Sequence, residues 1–356
     1  MSGQDMANIA HKEILQEVLA QIVSEDAGLA PIALLIERIA AAAVELAELI
    51  SLGRLSGEGD VAVGGFNEGG DAQKHLDMVA NDSLIDAMKR APVAIVVSEE
   101  LKGPLLLNAE APLVVAIDPL DGSSNIDTNV SIGTIFSVLP RLPAASDMQA
   151  HFLQPGRNQI AAGFVIYGPQ TSLVLAMAGQ TRVFILERRT GRFLLAIEAL
   201  QIPRDSSEYA INASNYRHWT PSVQAFVDDC ISGTEGPFGR NHNMRWVASL
   251  VAEAYRILIR GGVFLYPGDQ RPGYNSGRLR LIYEANPIAL IVELAGGVAN
   301  DSQHNILDVT PTDLHVRTPL VFGSANPVDL ITRYHADPQF SAERAPLFGR
   351  RGLIRF

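Results

Sequence analysis

Carboxylates are the residues whose placement in this chain asks for chemistry. In Ile117-Asp118-Pro119-Leu120-Asp121-Gly122-Ser123-Ser124-Asn125, two aspartates three apart follow the apolar run LVVAI at 113–117. Ionised acids at the end of a buried strand are costly unless something neutralises them, and a hard divalent cation does so well. Mg²⁺ takes a few carboxylates, waters and substrate phosphate oxygens, and a backbone carbonyl such as that of Leu120 can join the shell. Gly122, Ser123 and Ser124 add close backbone approach and N–H donors, which at a helix start make an anion pocket beside the metal. Taken alone, Asp-Pro and Asp-Gly are more often simply turn dipeptides.

A second cluster changes that reading. Ser98-Glu99-Glu100 ends another apolar run, PVAIVVS at 92–98, so two parallel strands would deliver acids to one sheet edge, the usual ligand position in open α/β sheets. Neighbours on a strand face opposite ways, so Glu99 and Glu100 reach one metal cluster only from a strand end or a bulge. In Asp71-Ala-Gln-Lys74-His-Leu-Asp77 the spacing of three puts Asp71, Lys74 and Asp77 on one helix face, as site residues or as an exposed charge ladder. Glu284, ahead of the apolar run IALIVELAGG, is the fourth source, although a first-turn Glu also serves a helix dipole.

The elements that must position these acids are legible around them. Residues 33–50 carry apolar side chains at helical spacing, and a helix is expected from Ala72 to about Lys89. Between them, 51–71 hold seven glycines, which predicts a mobile loop able to close over a site. Strands are expected at 92–98, 113–117, 132–139, 161–167, 172–177 and 183–187, and further helices at 221–232, 246–260 and 284–295. Strands in the middle with helices at both ends favour layered α/β packing. The uncharged stretch 158–181 is long enough to cross a bilayer but is broken by Gly168-Pro169, and reads as two buried strands joined by a turn.

Composition limits the function classes. The 356 residues include 28 Lys and Arg against 39 Asp and Glu, a net charge of −11, which argues against general nucleic-acid binding. Any polyanionic ligand therefore needs a locally basic or metal-filled site. Cys230 is the single cysteine, so no intrachain disulfide or thiol switch is available and a reducing compartment is expected. Charged residues within the first 17 positions argue against an export signal. The histidines are scattered without metal-ligand spacing.

Taken together, SEE at 98–100, DPLDGSSNID at 118–127, VSIGTIF at 130–136, GGVFLYP at 261–267 and LRLIYEANP at 279–287 closely resemble class I fructose-1,6-bisphosphatase, in order and spacing over about 33–335. The resemblance implies an α/β fold with αβαβα layers, that of the inositol monophosphatase/fructose-1,6-bisphosphatase superfamily. The polar stretch QIPRDSSE at 201–208, with Pro203, sets the boundary between 1–204 and a 205–335 domain that the resemblance makes sugar bisphosphate-binding, with a 336–356 tail, and the resemblance implies a cytoplasmic homotetramer. The implied reaction is hydrolysis of the 1-phosphate of fructose 1,6-bisphosphate with two or three Mg²⁺ (or Mn²⁺) per subunit and no covalent enzyme intermediate. No membrane or nucleic-acid partner is implied. The matching metal ligands are Asp71, Glu99, Asp118, the Leu120 carbonyl, Asp121 and Glu284; Asp77 and Glu100 resemble the pair that activates the attacking water.

By the same resemblance Asp121, Gly122, Ser123 and Ser124 meet the phosphate being removed. Asn212, Tyr216 and Tyr266 match the binders of the distal phosphate, Arg245 the arginine donated by a neighbouring subunit, and Arg278 and Arg280 the basic pair on sugar and phosphate. Departures are also present. Gly28-Leu29-Ala30-Pro31-Ile32, Pro112, Leu113 and Pro140 stand where AMP-regulated members place phosphate ligands, so weak or absent AMP inhibition is expected. Trp246 replaces a tyrosine and Arg278 a lysine, which leaves room for sedoheptulose 1,7-bisphosphate. An inositol monophosphatase would carry a Trp-Asp metal block in place of Glu284, and a catalytically silent relative would lack acids that are all present here.

Overall fold

The computed structural model describes residues 12–53, 62–66 and 72–337, with the backbone alone for 62–66 and 72–74. Helices α1 (Leu15–Glu25) and α2 (Ala30–Leu52) open it. Alanine-rich α2 has Pro31 in its first turn, where a missing N–H costs nothing. Strands β1 (Ala62–Phe66) and β2 (Ala72–Lys74) pair antiparallel, and α3 (His75–Met88) follows. Two expectations are thereby corrected. Part of the glycine-rich 51–71 segment is strand, and α3 starts three residues late because 72–74 take their hydrogen bonds from β1. Lys74 is on β2 and Asp77 on α3, so these two do not share a helix face, and Asp71 lies outside the described residues.

An eight-stranded sheet comes next, from β3 (Val93–Ser98), β4 (Leu105–Leu106), β5 (Leu113–Asp121), β6 (Ile132–Pro140), β7 (Ala161–Tyr167), β8 (Thr171–Met177), β9 (Gln180–Glu187) and β10 (Arg192–Ile197). Its order is β10-β9-β8-β7-β6-β5-β3-β4. Only β3 and β5 run parallel, as their shared acidic ends anticipate. The 158–181 stretch is indeed two buried strands and a turn.

The second half supplies β11 (Glu208–Ala210), α4 (Pro221–Ile231), β12 (Asn243–Met244), α5 (Leu250–Arg260), β13 (Val263–Tyr266), β14 (Leu279–Arg280), α6 (Asn286–Leu294), β15 (Val298–Asn300), β16 (Arg317–Thr318), β17 (Leu320–Gly323) and α7 (Ala325–Ala336). Five of these strands form a sheet in the order β12-β11-β13-β17-β15, and β14 pairs with β16. Strand alternation then decides the layers. Leu35, Ile36 and Ile39 of α2 pack with Val115, Phe136 and Phe184 on one face of the large sheet. Phe164 and Val174 on its other face meet Val251, Ile257, Ile288 and Ile291 of α5 and α6, which also cover Phe264 and Phe322 of the small sheet. Val263, Leu265 and Val321 point away from that layer to Val223, Phe226, Val328 and Ile331 of α4 and α7. The result is the expected αβαβα stack.

The segment Ala27–Leu52 is long and apolar enough to cross a membrane by length and composition. Its buried Leu35, Ile36, Ile39, Ala43 and Leu46 instead make it a core helix of the first layer.

Candidate active site

Asp118 and Asp121 are three apart, so a regular strand would point them to opposite faces. Strand β5 avoids this with a bulge: Asp118 pairs with Ile135 and Asp121 with Gly133, so three steps on β5 oppose two on β6. Pro119, which offers no ladder N–H, sits in the irregular stretch, and the Thr134 hydroxyl pins it by donating to the Pro119 carbonyl at 2.8 Å. Gly133 completes the crossing, because a Cβ there would strike the Val165 carbonyl oxygen and the Val251 methyls.

Glu284 arrives from the other half of the chain on a π-helical turn, Leu281–Ala285, just before α6. Ligand atoms of Asp118, Asp121 and Glu284 then lie within 4.8 Å of one another, all three residues buried. Existing donors neutralise part of this charge. The Leu120 N–H donates to Asp118 Oδ1 (3.1 Å), Val251 N–H in the first turn of α5 to Asp121 Oδ2 (3.0 Å), and Arg280 N–H to Glu284 Oε2 (2.5 Å). Buried Arg280 also donates from Nη1 to Glu99 Oε1. Glu284 thus does accept an N–H at a helical start, as its simpler reading holds, while facing two further acids.

Electrostatics show the cost. Burial, followed by the charges of Glu99, Asp121 and Glu284, raises the Asp118 carboxyl well above the usual range, against the opposing pull of Arg280. Burial does the same to Glu284, with Glu99 and Asp121 adding to it, and pushes Asp121 up to about 6 despite its bonds to the α5 backbone. A set of oxygen donors that resists ionising without a cation fits a hard divalent ion.

Around this cluster, Glu99 and Glu100 sit half-buried in the turn after β3, with Glu99 N–H on the Ile117 carbonyl (3.1 Å). Asp77 is buried in the first turn of α3. Gly122 adopts φ +76°, a left-handed conformation that turns the chain from β5 into the 3₁₀ helix Ser123–Thr128, with Ser123 half-buried and Ser124 exposed. Asn125, which the motif contains without an assigned role, donates from Nδ2 to the Ala248 carbonyl (2.7 Å) and so ties this turn to the segment carrying Arg245 and Trp246.

A separate cleft gathers Asn212, Tyr266 and Arg278 with Asp269, Arg271 and Tyr274. The last three were not singled out from sequence; their only signal is the turn-rich stretch GDQRPGYNSG. Tyr216 and Arg245 are exposed and do not line this cleft, and the Tyr216 hydroxyl donates to Asp228 at 3.0 Å. Trp246 stacks on Phe264 with ring centroids 5.9 Å apart.

Acids that need a cation, beside a turn offering hydroxyls and N–H groups to an anion, suit phosphate-ester chemistry, and the layers around them are those of the sugar phosphatases. The chain matches the family models for the fructose-1-6-bisphosphatase N-terminal domain over residues 26–198 and C-terminal domain over 202–336. It is 56% identical over 325 residues to the fructose-1,6-bisphosphatase class 1 of Rhizobium meliloti, covering 91% of this chain and 93% of that one. Identity is 50% over 330 residues to the protein of the same description from Rhodopseudomonas palustris strain HaA2, covering 93% and 95%. The crystal structure of Leishmania major fructose-1,6-bisphosphatase in holo form superposes with a TM-score of 0.84 at 31% identity, covering 92% of this chain and 99% of that one. The chain belongs to the class 1 fructose-1,6-bisphosphatase family and is an enzyme of the phosphatase class.

Proposed function

We propose that this enzyme hydrolyses the 1-phosphate of fructose 1,6-bisphosphate, giving fructose 6-phosphate and inorganic phosphate, with Mg²⁺ held by Glu99, Asp118, Asp121, Glu284 and the Leu120 carbonyl, and with Asp71 as a further ligand. The observation that carries a bisphosphate is the spacing of two arginines. Arg278 lines the distal cleft and Arg280 sits among the carboxylates, two residues apart along the β14 segment, roughly 7 Å of extended chain. One phosphate can meet each.

When bound, the ions polarise the phosphoryl group and favour charge on the attacking and leaving oxygens. Asp77 and Glu100 accept the proton of the attacking water and fix its direction. Ser123 and Ser124, with the Gly122 turn, hold the reacting phosphate, and Arg280 faces charge that builds on its oxygens. Asn212, Tyr266 and Arg278 hold the distal phosphate, joined by Tyr216, whose hydroxyl must first leave Asp228, and by Arg245 of a neighbouring subunit in a homotetramer. The 1–204 unit thereby supplies most of the acids, and 205–335 supplies Glu284 and the distal subsite.

The stacked Trp246 in place of a phenol favours a second reading, activity on sedoheptulose 1,7-bisphosphate, which would place the enzyme in carbon fixation as well as gluconeogenesis. Weak AMP control is part of the proposal: the Asp26 carboxylate takes the Gly28 N–H (2.9 Å) in the 3₁₀ turn ahead of α2, and Pro31 offers no donor. A cytoplasmic location accords with the reduced single cysteine. Phosphate release from a panel of sugar bisphosphates, with Mg²⁺, Mn²⁺ or chelator and with AMP, tests all of this. Fructose 1,6-bisphosphate turnover that stops with chelator is expected; full turnover in chelator overturns the metal assignment, and cooperative inhibition at micromolar AMP overturns the regulatory one.

A further inference from the structure

We propose that Tyr274 is a positioning residue that holds the Arg278 guanidinium for the distal phosphate, an inference that rests on the reading of Arg278 as a ligand of that phosphate. A long cationic side chain gains affinity when it is held still beforehand, yet a carboxylate partner that held it would cancel the charge it must offer. The loop between β13 and β14 separates these two demands.

Buried Asp269 takes Arg271. The Arg271 Nε donates to both Asp269 oxygens at 3.0 Å, its backbone N–H to Oδ1 at 2.9 Å, and Nη2 adds a further bond. These bonds hold the Asp269 carboxyl below the usual range, so the pair is a settled neutral unit. The guanidinium carbon of Arg271 lies 4.3 Å from the centre of the Tyr274 ring, and that of Arg278 lies 4.9 Å from the same ring. Among the described residues Arg278 forms no ion pair, so the ring restrains it while its charge and its fork of N–H donors stay available.

The backbone that carries the ring is itself held in the loop. Asp269 and Gly277 N–H groups both donate to the Tyr274 carbonyl at 3.0 Å, and the Tyr274 N–H donates to the Arg271 carbonyl at 3.0 Å. Asn212 and Tyr266 line the cleft into which this unit faces. A neutral clamp, an aromatic face and an uncommitted cation therefore stand in series at its edge.

The experiment is steady-state kinetics of Tyr274→Ala, Tyr274→Phe, Arg278→Ala and the double variant Tyr274→Ala/Arg278→Ala, on fructose 1,6-bisphosphate and on fructose 1-phosphate, which lacks the distal phosphate. Tyr274→Ala is expected to raise KM for the bisphosphate about two- to fivefold with little change in kcat, the scale of one exposed cation–π contact. It should leave kcat/KM for fructose 1-phosphate unaltered and add nothing in the Arg278→Ala background, while Tyr274→Phe restores KM. Equal losses on both substrates, or full additivity with Arg278→Ala, overturn the proposal. An unchanged KM in Tyr274→Ala alone overturns it and leaves the subsite reading standing, whereas an unchanged KM in Arg278→Ala removes both.

Discussion

Asp118 shows what a buried acid costs this protein and what it returns. Its carboxyl and that of Glu284 are raised by burial and by neighbouring carboxylates, and that of Asp121 by burial, so the metal-free folded state binds protons more tightly than the unfolded chain. The stability from Asp121 is therefore present at low pH and is lost as pH rises through about 6, and Asp118 and Glu284 act in the same direction. A divalent cation reverses the balance, because it binds the ionised form. Mg²⁺ should raise Tm more at pH 8 than at pH 5.5, measured by thermal unfolding with and without chelator; equal shifts at both pH values would count against a carboxylate site.

Asp118→Asn should reduce turnover by about 10²- to 10³-fold or more while leaving the metal-free Tm unchanged or higher, since it deletes a repulsive buried charge. Wild-type-like kcat in this variant, or in Glu100→Gln, would remove the assignment. Cys230 is shifted in the same sense: burial, aided by Asp229, pushes its thiol up to about 12. Alkylation of the native protein at pH 8 should be negligible beside that of the denatured chain. The acids were legible in the sequence because their type and spacing carry the chemistry, whereas the Arg271, Tyr274 and Arg278 unit depends on a loop path that spacing does not encode.

Among elements, six of the eight strands of the large sheet were readable because apolar runs of six to nine residues, largely buried on both faces, leave a continuous signal, whereas two-residue β4 and the half-exposed edge strand β10 leave none and were not expected. Those of the small sheet are two to four residues long, too short for any period to emerge, and they exist through pairing with distant partners. Strand β2 was read as helix for the same reason: its three residues join an apolar helical pattern and only β1 holds them extended. The bulge in β5 is likewise a property of two strands at once. Gly133, opposite Asp121, tests it: Gly133→Ala should destabilise by about 1–3 kcal/mol in urea unfolding, since its methyl meets backbone and Val251. A loss below about 0.5 kcal/mol would mean that the crossing is looser than its contacts indicate.

On the scale of the whole molecule, α5 and α6 serve two sheets, burying Phe164 on one side and Phe264 on the other. Without the second half the large sheet keeps its α1–α3 face but loses the cover of the face that carries Phe164 and Val174. Residues 1–204 expressed alone should fail to give a cooperative thermal transition, and the full chain should unfold in one; a stably folded fragment would show that the shared layer matters less. The five-layer order itself could not be read from hydrophobic periodicity, which sees faces but not what covers them, and it entered the sequence reading only through family likeness.

The extra residue in β5 has one more implication. Strand arithmetic, rather than composition, stores the catalyst: one residue inserted opposite it in β6 would absorb the bulge into regular pairing, three steps against three, and swing one aspartate across to the wrong side of its sheet, leaving every acid in the gene and none of the reaction.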